Sequence, residues 1–550
     1  MPTVRYEFED ILRLVGATRD EIFRTIPHLK GEVKQEAEEE VSIELESDRP
    51  DLLSLHGLSR AIRSYLGIEV GLPRCTRISL KRAFEVEVEE VRLRPVVSFA
   101  VAKGVPFDYK TIKIFMNLQE LLHLTIGRDR RKMAIGVHDL DKITPPVVYT
   151  EASPESIITP LGFTEEMSLR DVLERHEKGI AYRHLLERDH TFPVFMDADG
   201  IFSFPPVINS ERTRVTENTK NLFIEMTGTD ERAINCAMAI IAADLVDMGA
   251  TLEGIKMRFG TLETMVPKLS PLERPLDIDY AEETIGIELS DEEAKEMLAR
   301  MGHDVEILER RRFLVKMPPY RYDVLHQVDL IEDLAIAYGY ENLTPELPPV
   351  ATVGRRSGLS ILESRIRTIL TGLSFQEVLT FTLSNARLQC EMMNLGRAEG
   401  LIELENPVNE ELSCLRKWIL PGLMNFLAQN KHSKYPQMIF EVGYVFQPGN
   451  GETATSTYRD VGGVLISSEV TFNDARAVVD ALSRSMGWKL VLVSEDHPSF
   501  IKGRTAAIVH EDRKIGVVGE LHPQILNNFE LELPASGFEI TLAGPLPYVR

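Results

Sequence analysis

The stretch at 317–340, MPPYRYDVLHQVDLIEDLAIAYGY, constrains the chain more than any other. Pro318-Pro319 cannot sit inside a helix, so a helix here starts after them. From Val328 a helical period takes over. Ile331, Leu334, Ala335 and Tyr338 fall at i, i+3, i+4 and i+7 and form one apolar face. Asp329, Glu332 and Asp333 fall at i, i+3 and i+4 on the opposite face, with Asp323 just upstream. Gly339 is the expected stop. Clustered carboxylates repel one another, and spacing alone leaves two readings open. One is a solvated acidic face near the positive helix N-terminus. The other is a hard-cation site, because all-oxygen ligands without His or Cys suit Mg²⁺ or Ca²⁺.

A chain of 550 residues is too long for one core, and about three to five domains are expected. There is no run of 18 apolar residues, so no membrane span is expected. The opening MPTVRYEFED is charged and is not read as a signal peptide, which points to the cytoplasm. Cys75, Cys236, Cys390 and Cys414 lie far apart, with neither CxxC spacing nor a disulfide framework. The net charge of −23 opposes a protein that coats nucleic acid through its whole surface. It leaves room for a local RNA contact, although the basic clusters at 128–132, 310–312 and 355–356 read first as solvated faces.

Four segments follow from the pattern. Residues 1–85 read as a small α/β domain: a helix at 18–26 ending near Pro27, a strand at 41–47, then a helix closed by Gly67. Arg49 and Asp51 read as a turn-fixing ion pair. Residues 86–268 read as a larger α+β domain. Its strands flank Arg94-Pro95, a helix stops at Gly127, and Asp199-Gly200 signals a hairpin. His138, Asp139 and Asp141 read as a turn network, and Asp230 as the N-cap of a long helix. Residues 269–346 hold the opening stretch and a capping box, Ser290 with Glu293. A proline-rich linker over 344–358 leads into residues 347–550, which read as an antiparallel sheet with helices.

PPYRYDVLHQVDLIEDLAIAYGY resembles the signature of the phenylalanyl-tRNA synthetase β-subunit family, and further segments resemble it along nearly the whole chain. These are AIGVHDLD, ENPVNEELSCLRKWILPGLMNFLAQN, IFEVG and HPSFIKGRTAAIVHEDRKIGVVGELHPQIL. The length and opening resemble the archaeal or eukaryotic form. The resemblance implies an α+β multidomain chain with a tRNA-editing domain at 86–268, a small winged-helix-like module at 269–346 and a class II synthetase-like domain at 347–550. It implies Mg²⁺ on Asp323, Asp329, Glu332 and Asp333 near an α subunit. It also implies an α2β2 tetramer that charges tRNA(Phe) with phenylalanine using ATP, and hydrolysis of tRNA(Phe) mischarged with tyrosine. By motif position the editing pocket maps to Val194, Ser203, Glu225 and Thr227, with Glu225 accepting the tyrosine hydroxyl.

Adenylation needs arginine clamps on the phosphates. IFEVG keeps Glu441, but Ile439 and Phe440 stand where an arginine-containing pair is needed, and GVVGELHP has no arginine following it. No adenylation residues are therefore expected in this chain. No GxxxxGK[ST], GxSxG or HExxH occurs. A transcription regulator is opposed by the charge. A stand-alone aminoacyl-tRNA deacylase and a non-enzymatic scaffold remain the alternatives.

Overall fold

The computed structural model describes residues 2–36, 40–186, 190–347, 350–396 and 400–543. It divides into two compact units, Met1–Leu347 and Pro348–Arg550. Of the linker read from the sequence, Pro348 and Pro349 lie outside the described residues.

In the first unit, strands Thr3–Glu7, Glu40–Leu45 and Gly31–Glu36 form a three-stranded sheet in that order. The strand expected at 41–47 is the central one. Arg49 and Asp51 form the expected ion pair: both are buried, with Nε–Oδ1 at 2.9 Å and Nη2–Oδ2 at 2.8 Å. The helix expected to end near Pro27 runs Arg19–His28, with Pro27 inside its last turn. A proline in the last turn removes only one hydrogen bond there.

The centre of the unit is a ten-stranded mixed sheet. Nine strands run in the order Ile208–Asn209, Gly200–Phe204, Phe192–Asp197, Val147–Ala152, Lys81–Val88, Thr251–Phe259, Val96–Lys103, Asn221–Gly228, Met133–Asp139, and the tenth, Leu262–Val266, pairs with Thr251–Phe259 off that path. The strand Lys81–Val88 carries this sheet back across the boundary expected at 85. The sheet curls until its edge strands meet, where Asn209 Nδ2 donates to Val137 O at 3.2 Å. Alternation sorts the faces. Phe99, Phe195, Phe202 and Phe223 fill one apolar cluster. Ala100, Ala102, Leu222, Ile224, Ile135 and Val137 join another, against the helix Glu231–Asp247. That helix is buried along most of its length, and its alanines let it lie close to the sheet while also touching the N-terminal segment. Asp230 is its N-cap, accepting from Ala233 N at 3.0 Å.

The hairpin expected at Asp199-Gly200 is present, with Asp197 opposite Gly200. Gly127 is not the stop of helix Tyr109–Leu124. The chain reverses through Arg128, Asp129 and Arg130, all with left-handed φ (46°, 54°, 63°). Such backbone persists only where the surroundings over-determine it. Here the buried Arg130 guanidinium is fixed by Pro206 O (3.0 Å), Val207 O (3.1 Å) and Glu120 (3.0 Å). A third sheet, Leu272–Asp277, Arg312–Met317, Asp304–Glu309, carries the helices Asp291–Arg300 and Gln327–Tyr338. The capping box at Ser290 and Glu293 and the stop at Gly339 are as expected.

The second unit is built on a seven-stranded sheet in the order Gln376–Glu377, Gln437–Pro448, Thr455–Ile466, Ala535–Ala543, Arg513–Leu521, Phe500–His510, Leu490–Ser494. All pairs are antiparallel except the first. One apolar core lies on each face, so Ile439 and Phe440 point into different cores. The protein is thus mixed α/β and multidomain. Its four cysteines are buried and free. Among the described residues no helix is long and apolar enough to cross a membrane.

Candidate functional site

Where the curled sheet closes, a cavity of about 610 Å³ opens. Its deep end is polar. Ser203 Oγ donates to Glu225 Oε1 at 2.9 Å, and Glu225 is 2% exposed. The other carboxylate oxygen, Oε2, is buried and has no hydrogen-bond partner among the described residues. His138 Nε2 is equally unpartnered and stands 3.9 Å from Glu225 Oε1. The ring is held by its other nitrogen, 2.9 Å from Thr213 Oγ1, and by edge contact with Phe202. A buried carboxylate oxygen left unpaired costs free energy. A ligand bringing an O–H donor would fill it.

Gly136 makes room for this group. It sits opposite Glu225 across the strand pair. A Cβ there would lie 2.1 Å from Glu225 Oε1 and 3.0 Å from His138 Nε2. Gly136→Ala is expected to displace the carboxylate. Any hydrolytic activity of the cavity should fall at least about tenfold, the range of one lost hydrogen bond to a charged group. Circular dichroism should leave the melting midpoint within a few degrees.

Of the four pocket residues mapped from sequence, the structure brings Ser203 and Glu225 together on the cavity wall. Thr227 is a strut instead. Its Oγ1 accepts from Arg94 Nε at 2.9 Å and its carbonyl from Arg94 Nη2 at 2.5 Å. Burial pushes that arginine's pKa down to about 10. Val194 lies one layer behind the wall, fully buried in the cluster that also holds Phe192, Leu169 and Phe204. The expected turn network is half right. Asp139 accepts from Asp141 N, and Asp141 from Asn221, while His138 turns inward. Sequence reading missed His138 and Gly136, although the signal existed: residues 136, 138 and, across the pair, 225 share one face by the period of two. Exposed Lys113, Lys178 and Arg214 also line the cavity, with the buried Arg130 held on Glu120.

The four acids of the opening stretch do not converge. Asp333, 2% exposed, accepts from His303 Nε2 (2.7 Å) and Arg321 Nη2 (2.8 Å). Asp323 is gripped by the same guanidinium, at 2.7 Å through Nη2 and 2.9 Å through Nε. Burial would raise the pKa of both carboxyls, but the Arg321 guanidinium holds them below the ordinary range. Asp329 is used as a cap, accepting from Leu325 N and His326 N at 2.7 Å. Glu332 reaches Lys30 at 3.0 Å. The expected four-carboxylate cluster is therefore corrected. Spacing placed 329, 332 and 333 on one face, but Asp333 turns to the core because Arg321 and His303 meet it there. Among the described residues no group of three His, Cys, Asp or Glu is gathered for a metal. As arranged in this chain, the four acids do not fit a resident Mg²⁺.

In the second unit, Glu441, Gly462 and Glu539 stand in register across three strands. The segment 416–420 covers this row. Arg416 pairs with Glu441 at 2.6 Å, Ile419 lies over Gly462, and Glu539 accepts from the N–H groups of Ile419 (2.8 Å) and Leu420 (3.0 Å). Arg416 is buried and its charge is committed to Glu441.

Three family models match: the B3/4 domain over 107–240, the tRNA synthetase B5 domain over 275–340, and the phenylalanyl-tRNA synthetase β chain CLM domain over 343–542. Full-length relatives decide the matter. The phenylalanine–tRNA ligase β subunit of Archaeoglobus fulgidus is 39% identical over 99% of this chain and 98% of its own. That of Pyrococcus furiosus is 38% identical over 98% and 99%. The chain belongs to the phenylalanine–tRNA ligase β-subunit family. A crystal structure of an N-terminal fragment of the phenylalanyl-tRNA synthetase β subunit from Pyrococcus horikoshii matches with TM-score 0.59 and 36% identity, covering 62% of this chain and all of the fragment. The B3/4 match contains Gly136, His138, Ser203 and Glu225, so the cavity lies in a domain of the ligase β subunit. The B5 match contains the Arg321 network.

Proposed function

We propose that this ligase β subunit proofreads: its 86–268 domain hydrolyses tyrosine from mischarged tRNA(Phe), while a partner α subunit activates and transfers phenylalanine. The observation that carries this reading is the unfilled oxygen of Glu225 on the cavity wall, with the unfilled nitrogen of His138 buried behind it, 3.9 Å from the same carboxylate. Tyrosine differs from phenylalanine by one hydroxyl, and an apolar pocket rejects such an addition by only about a hundredfold. A site built to bond that hydroxyl leaves Glu225 unpaired when phenylalanine enters, so it selects for tyrosine. The exposed basic side chains lining the cavity suit the approach of an RNA end. No side-chain nucleophile paired with a base is apparent beside Glu225, so water positioned by the pocket and the tRNA's terminal hydroxyls is the proposed attacking system.

The 347–550 unit is proposed to be a class II-like domain that carries no adenylation chemistry, its central row of acids being covered by its own 416–420 segment. An α2β2 assembly in the cytoplasm completes the reading. Mg²⁺ accompanies ATP in the α subunit's reaction. The B5-matched module would hold Mg²⁺ only where a second chain brought further oxygens to Asp329 and Glu332. ATP–pyrophosphate exchange with phenylalanine tests the division of labour. This chain alone should give background, and co-expression with its α subunit should give exchange. Robust exchange by this chain free of α would overturn the reading.

A further inference from the structure

A second cavity of the first unit, about 380 Å³, lies between the helix Leu55–Tyr65, the turn Arg74–Arg77 and the turn after helix Asp291–Arg300. Among the described residues lining it are seven arginines against three carboxylates, in a chain of net charge −23. Two of the arginines are closed off: Arg49 on Asp51, and Arg321 on Asp323 and Asp333. Of the other five, four have at most a shared or distant carboxylate, and Arg60 keeps one nitrogen without a hydrogen bond. Arg63 and Arg74 share one carboxylate, Glu69, at 3.2 and 3.3 Å. Arg300 donates to carbonyls, Tyr65 O at 2.9 Å and Ala337 O at 3.2 Å, and has no carboxylate partner among the described residues. Arg60 pairs with Asp247 through Nη1, but its Nη2 is buried without a hydrogen bond, 3.8 Å from Asp244 Oδ1. Arg77 reaches Asp304 only at 3.5 Å. The Arg74 and Arg77 side chains stand at the mouth, 76% and 62% exposed.

We propose that this cavity binds a small phosphate-bearing anion, with Arg60, Arg63 and Arg300 on its wall and Arg74 and Arg77 at its mouth. Guanidinium forks match phosphate oxygens two at a time. A cleft lined by one sign of charge concentrates the opposite ion. The volume lies near the lower end of small-ligand sites, about 300–1,000 Å³, which suits a pyrophosphate-sized group better than a stretch of RNA backbone.

The test is calorimetric titration of the full chain with inorganic pyrophosphate and orthophosphate at low, matched ionic strength. One saturable site is expected, tighter for pyrophosphate because more oxygens meet more guanidinium groups. Arg74→Glu with Arg77→Glu should weaken it at least about tenfold, with the anion-free melting midpoint unchanged because both side chains are exposed. Arg300→Met should weaken it as well. Competition by ATP would assign the phosphate to a free nucleotide, and competition by tRNA(Phe) to an RNA terminus. Either result keeps a phosphate in the cavity. No saturable heat up to about 10 mM pyrophosphate, or equal affinity in the charge-reversed variant, would overturn the proposal.

Discussion

Arg321→Met is expected to destabilise the first unit by about 3–5 kcal/mol, the cost of removing one partner from a buried ionic network. The guanidinium bridges Asp323 and Asp333 and lies 3.1 Å from His303 Nε2. Without it two buried carboxylates face each other unneutralised. Both tryptophans, Trp418 and Trp488, lie in the second unit, so fluorescence would miss the loss. Hydrogen exchange over residues 300–338 reads it directly. Millimolar Mg²⁺ should not restore protection; restoration would make the acids a metal site after all. The network also sets an acid limit. Burial pushes His303 down, so below about pH 6.5 the unfolded chain takes up a proton that the folded chain refuses. Asp323 and Asp333 are held low, so their contribution is present above about pH 4 and is lost as pH falls through their folded values.

Glu225→Ala should slow deacylation of Tyr-tRNA(Phe) by about ten- to a hundredfold, the range of a hydrogen bond to a charged group. Charging with phenylalanine should stay near the intact rate, because no adenylation chemistry is placed in this chain. Ser203→Ala should have a smaller effect, since it frees Oε1 rather than removing the acceptor. Single-turnover hydrolysis of preformed Tyr-tRNA(Phe) by the αβ enzyme separates the two steps. Unchanged deacylation would remove Glu225 from the site, and an equal loss of charging would indicate misfolding.

What sequence made legible was local. Caps at Asp230 and Ser290, the stop at Gly339, the Arg49–Asp51 pair and the hairpin before Gly200 are all set within a few residues, and each is present. Motif resemblance named Glu225 and Ser203 together, and these lie 22 residues apart and touch because the sheet curls. It placed Thr227 and Val194 in the pocket, where the structure turns one to Arg94 and buries the other. Helical spacing misjudged the four acids for a similar reason. It fixes which residues share a face, but not that Arg321 and His303 draw Asp333 inward while Lys30, 302 residues earlier in the turn before the strand Gly31–Glu36, meets Glu332. Partners distant in sequence decide what a carboxylate does, and periodicity carries no record of them.

The most direct test of the central claim is the selectivity of the wild-type αβ enzyme itself. Preformed Tyr-tRNA(Phe) and Phe-tRNA(Phe) are presented separately, and release of the free amino acid is timed. A site that must pair the buried oxygen of Glu225 should hydrolyse the tyrosyl ester at least about a hundredfold faster. Equal rates for the two esters, or rates no higher than without enzyme, would contradict the account.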